Sequence, residues 1–192
     1  MTTKKETKTK KETTLKRKKI AIRVGHGLHT GASHMRIHEH PTAAAIARLV
    51  PSLLDVSKVR CDVFAYPSLS NSEGLAQGCE DVNDGDYDAF IDLHCDAASH
   101  GSARGGHVIY CSTAGKKLAE ALATPLCEAM PGRADKTKLN KNFRMLNNTK
   151  PPAVIVELGF LTNVQDLLML TRSPKTLSIA LTKGINAYFY GA

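Results

Sequence analysis

Four side chains in this 192-residue chain have a type and setting that could do chemistry: His26, Glu39, His94 and Glu157. His26 lies between Gly25 and Gly27, directly after the apolar run IAIRV, and His94 closes the run FIDLH. Glu157 interrupts AVIVELGF, where an ionised carboxylate is costly unless a cation or hydrogen bonds compensate it. Glu39 stands just before an Ala-rich helical segment. Two imidazoles and one carboxylate suit Zn2+ in a catalytic site, because three protein ligands leave a fourth tetrahedral position open. A second carboxylate close by can carry the proton of an activated water. Each residue alone has a plainer role: a histidine in an apolar strand is ordinarily a hydrogen-bonded core residue, and a loop histidine is ordinarily solvated. The neighbours His34, His38 and His40 are competing candidates for the third ligand, or rim residues that meet substrate or solvent.

The elements that must position these side chains can be read from the pattern. Strands are expected at 20 to 24, 59 to 66, 87 to 97, 107 to 111 and 153 to 160. Residues 25 to 40 read as a polar loop, with Pro41 and Thr42 opening a helix that Pro51 ends or bends. PSLSNSEG at 67 to 74 reads as a loop and Leu75 to Val82 as a short helix. Thr113 to Met130 is expected to be a helix with Leu118, Leu122 and Leu126 on one face. PGRADKTKLNKN, ending at Asn142, reads as a basic surface connection, and helices near 163 to 170 and 174 to 189 close the chain. Strands alternating with helices, several of them apolar throughout, imply a single α/β domain with a twisted, mainly parallel sheet covered by helices on both faces. Ligands in such sheets bind beyond the carboxyl ends of the strands, so His26, Glu39, His94 and Glu157 should share one rim.

Composition sets the outer limits. With 42% apolar and 23% charged residues the chain can bury a real core without a disulfide frame. Five cysteines, an odd number with no C-x-x-C pair, read as reduced and mostly buried. The net charge of +8 belongs to one end: residues 1 to 19 hold nine Lys/Arg against two Glu, which accounts for all but one of the excess positive charges. That Lys/Thr/Glu tail is expected to be solvated and disordered, either a solubilising extension or a contact for an anionic polymer. Residues 20 to 192 are then the folded domain. No run of about 18 apolar residues is present and the N-terminus lacks a secretory signal pattern, so a transmembrane segment is not expected.

The folded part resembles the zinc-dependent N-acetylmuramoyl-L-alanine amidases of the Amidase_3 type, which include phage endolysins and bacterial cell-wall hydrolases. Four blocks carry the resemblance: GHGLHTGA at 25 to 32, the acid Glu39, FIDLHCDA at 90 to 97, and PPAVIVELGFLTNVQD at 151 to 166. It implies a sheet of about six strands, with His26, Glu39 and His94 as zinc ligands and Glu157 as the catalytic carboxylate. The implied substrate is peptidoglycan, cleaved at the amide between N-acetylmuramic acid and the L-alanine of the peptide stem. Without a signal peptide, the expected setting is synthesis in the cytoplasm and action on the cell wall after release, as for a phage lysin, or after nonclassical export.

The chain departs from the family pattern at three places. Arg23 and Val24 stand where an acid and a proline are common before the first GHG. Asp92 and Asp96 stand where S-x-H-x-N is common, and Asp92, two positions from His94 on a strand, is placed to orient the imidazole while Cys95 faces the other way. No arginine follows the second strand in PSLSNSEG, which bears on substrate recognition. His29, His100 and His107 receive no role, although His100 and its SHGSARGG loop could border the cleft. A noncatalytic wall-binding or regulatory relative would not need both the ligand set and Glu157. A basic-tailed nucleic-acid protein finds no helix-turn-helix, RNP-like or zinc-finger spacing, and H-E-x-x-H is absent.

Overall fold

Two nearly continuous apolar strands, β5 (Ala89–Asp96) and β8 (Ala153–Phe160), form the centre of the sheet in the computed structural model, which describes residues 16–191. They are apolar on both faces because helices cover both faces. On one side of them lie β1 (Lys18–Val24) and β4 (Val59–Phe64); on the other lie β6 (His107–Tyr110) and β7 (Thr137–Leu139). The order is β4-β1-β5-β8-β6-β7, and only the β6/β8 pairing is antiparallel. A separate hairpin, β2 (Ser33–His34) with β3 (Ile37–His38), lies within the stretch expected as loop.

The helices are α1 (Glu39–Ala47), α2 (Val50–Leu53), α3 (Asn71–Asp84), α4 (Thr113–Ala129), α5 (Arg144–Asn147), α6 (Val164–Arg172) and α7 (Pro174–Tyr190). One core holds Leu118, Leu122 and Leu126 of α4 with Leu177 and Leu181 of α7, packed on Val154 and Val156 of β8. The opposite face carries a smaller core in which Cys79 and Val82 of α3 and Met145 of α5 meet Phe90 and Ile155. This is the α/β domain with both sheet faces covered that the pattern implied. All five cysteines are free, and no helix among the described residues is long and apolar enough to cross a membrane.

Four local expectations are corrected. β1 begins at Lys18, two residues before the apolar run, because Lys18 Nζ and the Lys19 amide both reach the Asp88 carboxylate, at 2.8 and 2.9 Å. Residues 1–15 of the expected tail lie outside the described residues. α1 starts at Glu39 rather than after Pro41, so Glu39 belongs to a helix's first turn and not to the loop before it. α3 starts at Asn71 rather than Leu75: Ser70 and Glu73 form a capping box, each side chain taking the other's backbone N–H. The basic connection supplies β7, an edge strand that pairs in parallel with β6 through backbone alone. Lysines suit such an edge because they discourage further strand addition.

Candidate active site

β1 ends at Val24, and the next two residues turn the chain over the carboxyl end of the sheet. Gly25 lies against the His94 imidazole so closely that a Cβ there would stand 2.2 Å from Cε1. His26 follows in the left-handed region, φ 59°, a conformation uncommon for any residue but glycine. Its Nδ1 lies 3.1 Å from Asn71 Oδ1, which also accepts the Thr30 hydroxyl at 2.8 Å. Nδ1 therefore carries the proton and Nε2 is left to face Glu39 Oε1, 3.4 Å away.

Glu39 is fixed from the loop before α1 and from β5. The Ala32 amide donates to Oε2 at 2.7 Å and the Cys95 amide to Oε1 at 3.2 Å. His94 Nδ1 lies 2.8 Å from the same Oε1, while His94 Nε2 lies 3.1 Å from Asp92 Oδ2. The ligand atoms of His26, Glu39 and His94 all lie within 4.8 Å of one another. Donors on a tetrahedral zinc ion are roughly 3.3 Å apart at ordinary bond lengths, so the trio fits such an ion with little movement.

Charge follows the same geometry. Burial pulls the His94 imidazole down, but Asp92, Glu39 and Glu157 outweigh it and hold the group well above its ordinary range. Burial works against ionised Glu39, yet His94, His26 and the Ala32 amide keep it below the usual carboxylate value. Glu157 behaves oppositely: burial pushes it up to about 8, with the acids Asp96, Glu39 and Asp92 adding to the rise against His94. Its Oε2 is buried and has no hydrogen-bond partner among the described residues. Such an orphaned acid calls for a cation, a water or a substrate proton nearby.

These groups line one cleft of about 580 Å³. It is also lined by Asn142 and Phe143, which follow β7, and by Arg144 at the start of α5. Among the described residues that line the cleft, Arg144 is the one Lys or Arg, the others being acidic, imidazole or neutral, and no arginine comes from the loop after β4. Nothing in the local sequence marked it. Asn71 was also missed, although Ser70-x-x-Glu73 is a helix-start signature that would have brought it to the rim. Of the competing histidines, His40 is buried with Nδ1 2.9 Å from the Gly25 carbonyl, bracing the turn, and His38 stacks edge-on with His29 at 6.1 Å. Neither joins the donor trio, nor does His34. His100 is exposed and does not line the cleft. Cys95 packs into the core with 2% exposure. In the last block, Asn163 caps α6 through the Gln165 and Asp166 amides, and Asp166 accepts from the Gly105 and Phe160 amides; these side chains build the fold.

Comparison with known proteins shows the family and the fold. The family model described as N-acetylmuramoyl-L-alanine amidase, Amidase_3, matches residues 20–187. A probable cell wall amidase, LytH, of Staphylococcus saprophyticus is 29% identical over 187 residues, covering 91% of this chain and 60% of its own length. LytH of Staphylococcus epidermidis is 31% identical over 107 residues, 53% of this chain and 35% of that protein. The chain thus spans less than two thirds of the length of these relatives. Among solved structures, the catalytic domain of the CD27L endolysin targeting Clostridia difficile superposes with a TM-score of 0.78 at 25% identity, covering 88% of this chain and 97% of that one. The CwlD amidase from Clostridioides difficile, solved with the GerS lipoprotein, shares the fold at a TM-score of 0.81 and 20% identity, covering 90% of this chain and 98% of that one.

Proposed function

The chain belongs to the N-acetylmuramoyl-L-alanine amidase family, and on that premise we propose that it hydrolyses the amide joining N-acetylmuramic acid to L-alanine in peptidoglycan. His26 through Nε2, Glu39 through Oε1 and His94 through Nδ1 are the zinc ligands in this reading, and Glu157 is the catalytic carboxylate. The observation that carries it is the convergence of the three donor groups within 4.8 Å, beside a buried carboxylate with an unpartnered oxygen.

Held by His26, Glu39 and His94, a zinc ion would supply Lewis acidity to the scissile carbonyl and to the attacking water. The remaining work falls to the protein. Glu157 takes one proton from the water as its oxygen bonds to the carbonyl carbon. It returns that proton to the alanine nitrogen as the C–N bond breaks, since an amine leaves poorly unprotonated. The other water proton departs with the new muramoyl carboxyl group. Burial of Glu157, which brings its two protonation states within reach of neutrality, supports both halves of this role. In this reading the cleft residues Asn142, Phe143 and Arg144 receive the peptide stem, and the place of action is the cell wall, the setting named for the probable cell wall amidases that the chain resembles.

The experiment is mass spectrometry of muropeptides after digestion of purified peptidoglycan. New L-alanine amino termini, lost with a chelator and restored by zinc, are the expected result. Cleavage at a glycosidic or cross-bridge bond instead, or activity indifferent to chelation, would overturn the reading.

A further inference from the structure

Arg23 is among the largest side chains in the protein to be fully enclosed, at 1% exposure, and its partner Asp92 is equally buried. Its Nη1 donates to Asp92 Oδ1 at 2.7 Å and its Nε donates to the Gly74 carbonyl at 3.3 Å. The stem of Arg23 runs along a slot on α3 that only glycine leaves open: a Cβ on Gly78 would stand 2.6 Å from Arg23 Cδ. Replacing such an interior pair with well-packed apolar residues is often neutral or stabilising, so the pair is not explained by stability alone.

Its other end explains it. The second oxygen of the same carboxylate, Asp92 Oδ2, lies 3.1 Å from His94 Nε2. An ionised carboxylate can only accept, so His94 keeps its proton on Nε2 and turns Nδ1 toward Glu39. One Asp92 oxygen is thereby committed to the guanidinium and the other to the imidazole, and a carboxylate gripped at Oδ1 cannot rotate away from the ring. We propose that Arg23 is a positioning residue: through Asp92 it fixes the tautomer and orientation of His94, so that Nδ1 is the metal-binding nitrogen. This rests on the zinc reading above. It also gives a purpose to an arginine at the end of the first strand that the family pattern left unexplained.

The test uses the full chain in three forms. Arg23→Met/Asp92→Leu removes both charges together and strands neither in the interior. Gly78→Ala crowds the stem of Arg23 from α3 while touching neither Asp92 nor a ligand. Two quantities are read: the exchange rate of the His94 Nε2 proton by 1H–15N NMR in metal-free protein, and the zinc dissociation constant by competition with a chromophoric chelator. The parent should show a slowly exchanging ring proton. The double variant should lose it and bind zinc about 10–100-fold more weakly, the usual range when the partner of a ligating histidine is removed. Gly78→Ala should accelerate exchange and weaken binding in the same direction. Folded variants with the parent's protected ring proton and zinc affinity would overturn the proposal. If the double variant does not fold, Gly78→Ala decides alone. A parent that takes up no zinc would overturn the metal reading instead, and the ring-proton comparison would still decide the role of Arg23.

Discussion

His94 and Glu157 face each other across the β5/β8 ladder, so an imidazole and a carboxylate leave the same face of the sheet at the same level. Parallel pairing puts both at the carboxyl ends of their strands, where the Gly25–His26 turn also emerges. Glu157→Gln keeps the volume and removes only the proton carrier. It should retain one zinc per chain and lose turnover by about 10²–10⁴-fold, measured as muropeptide release beside metal content.

Zinc should stabilise the fold as well as activate it. With free zinc at about 100 times its dissociation constant the expected gain is about 2.7 kcal/mol, or roughly 5–10 °C in Tm for a domain of this size. Glu39→Ala should abolish the shift. It should also lower the metal-free Tm, because the Ala32 and Cys95 amides lose their acceptor. A zinc-dependent shift that survives in Glu39→Ala would exclude Glu39 as a ligand.

Gly25→Ala places a methyl group within van der Waals radii of the His94 ring, 2.2 Å from Cε1. The ring must swing from the donor trio. Zinc affinity should fall at least tenfold while far-UV circular dichroism stays that of a folded α/β domain; unchanged affinity would show that the ring has room the geometry denies it.

His107 should shape the acid limit of stability. Burial, helped by Arg133, lowers its imidazole to about 4, and its Nδ1 has no partner among the described residues. The fold therefore keeps it neutral where the unfolded chain, titrating near 6.5, takes up a proton. Its contribution is complete above pH 6.5 and is lost as pH falls toward 4, on the order of 3 kcal/mol in all. In urea titrations across that window His107→Phe should lose stability less steeply than the parent. An identical slope would exclude His107 as the source.

Arg144 is the one Lys or Arg among the described residues that line the cleft, and a peptide stem carries carboxylates. Arg144→Ala should raise KM up to about fivefold, the range for a solvent-exposed ion pair, and leave kcat and zinc content unchanged. A fall in kcat alone would place Arg144 in the chemistry and not in binding.

The sequence on its own determined what depends on local pattern. An acid inside AVIVELGF is an anomaly of one strand, and a histidine between glycines after an apolar run is an anomaly of one turn; both were legible because the cost of burying charge is a property of the segment itself. Alternation of apolar runs likewise showed which strands are buried on both faces. Tertiary structure decided which segments are neighbours. Arg23 and Asp92 are 69 residues apart and Glu39 and His94 are 55 apart, and only the order β4-β1-β5-β8 makes the first pair an ion pair and sets the second at one donor site. β7 escaped notice because an edge strand needs backbone pairing and no apolar pattern. Arg144 escaped because its meaning lies across the cleft from the residues it faces, and a side chain's period reports the face it occupies, not what stands opposite.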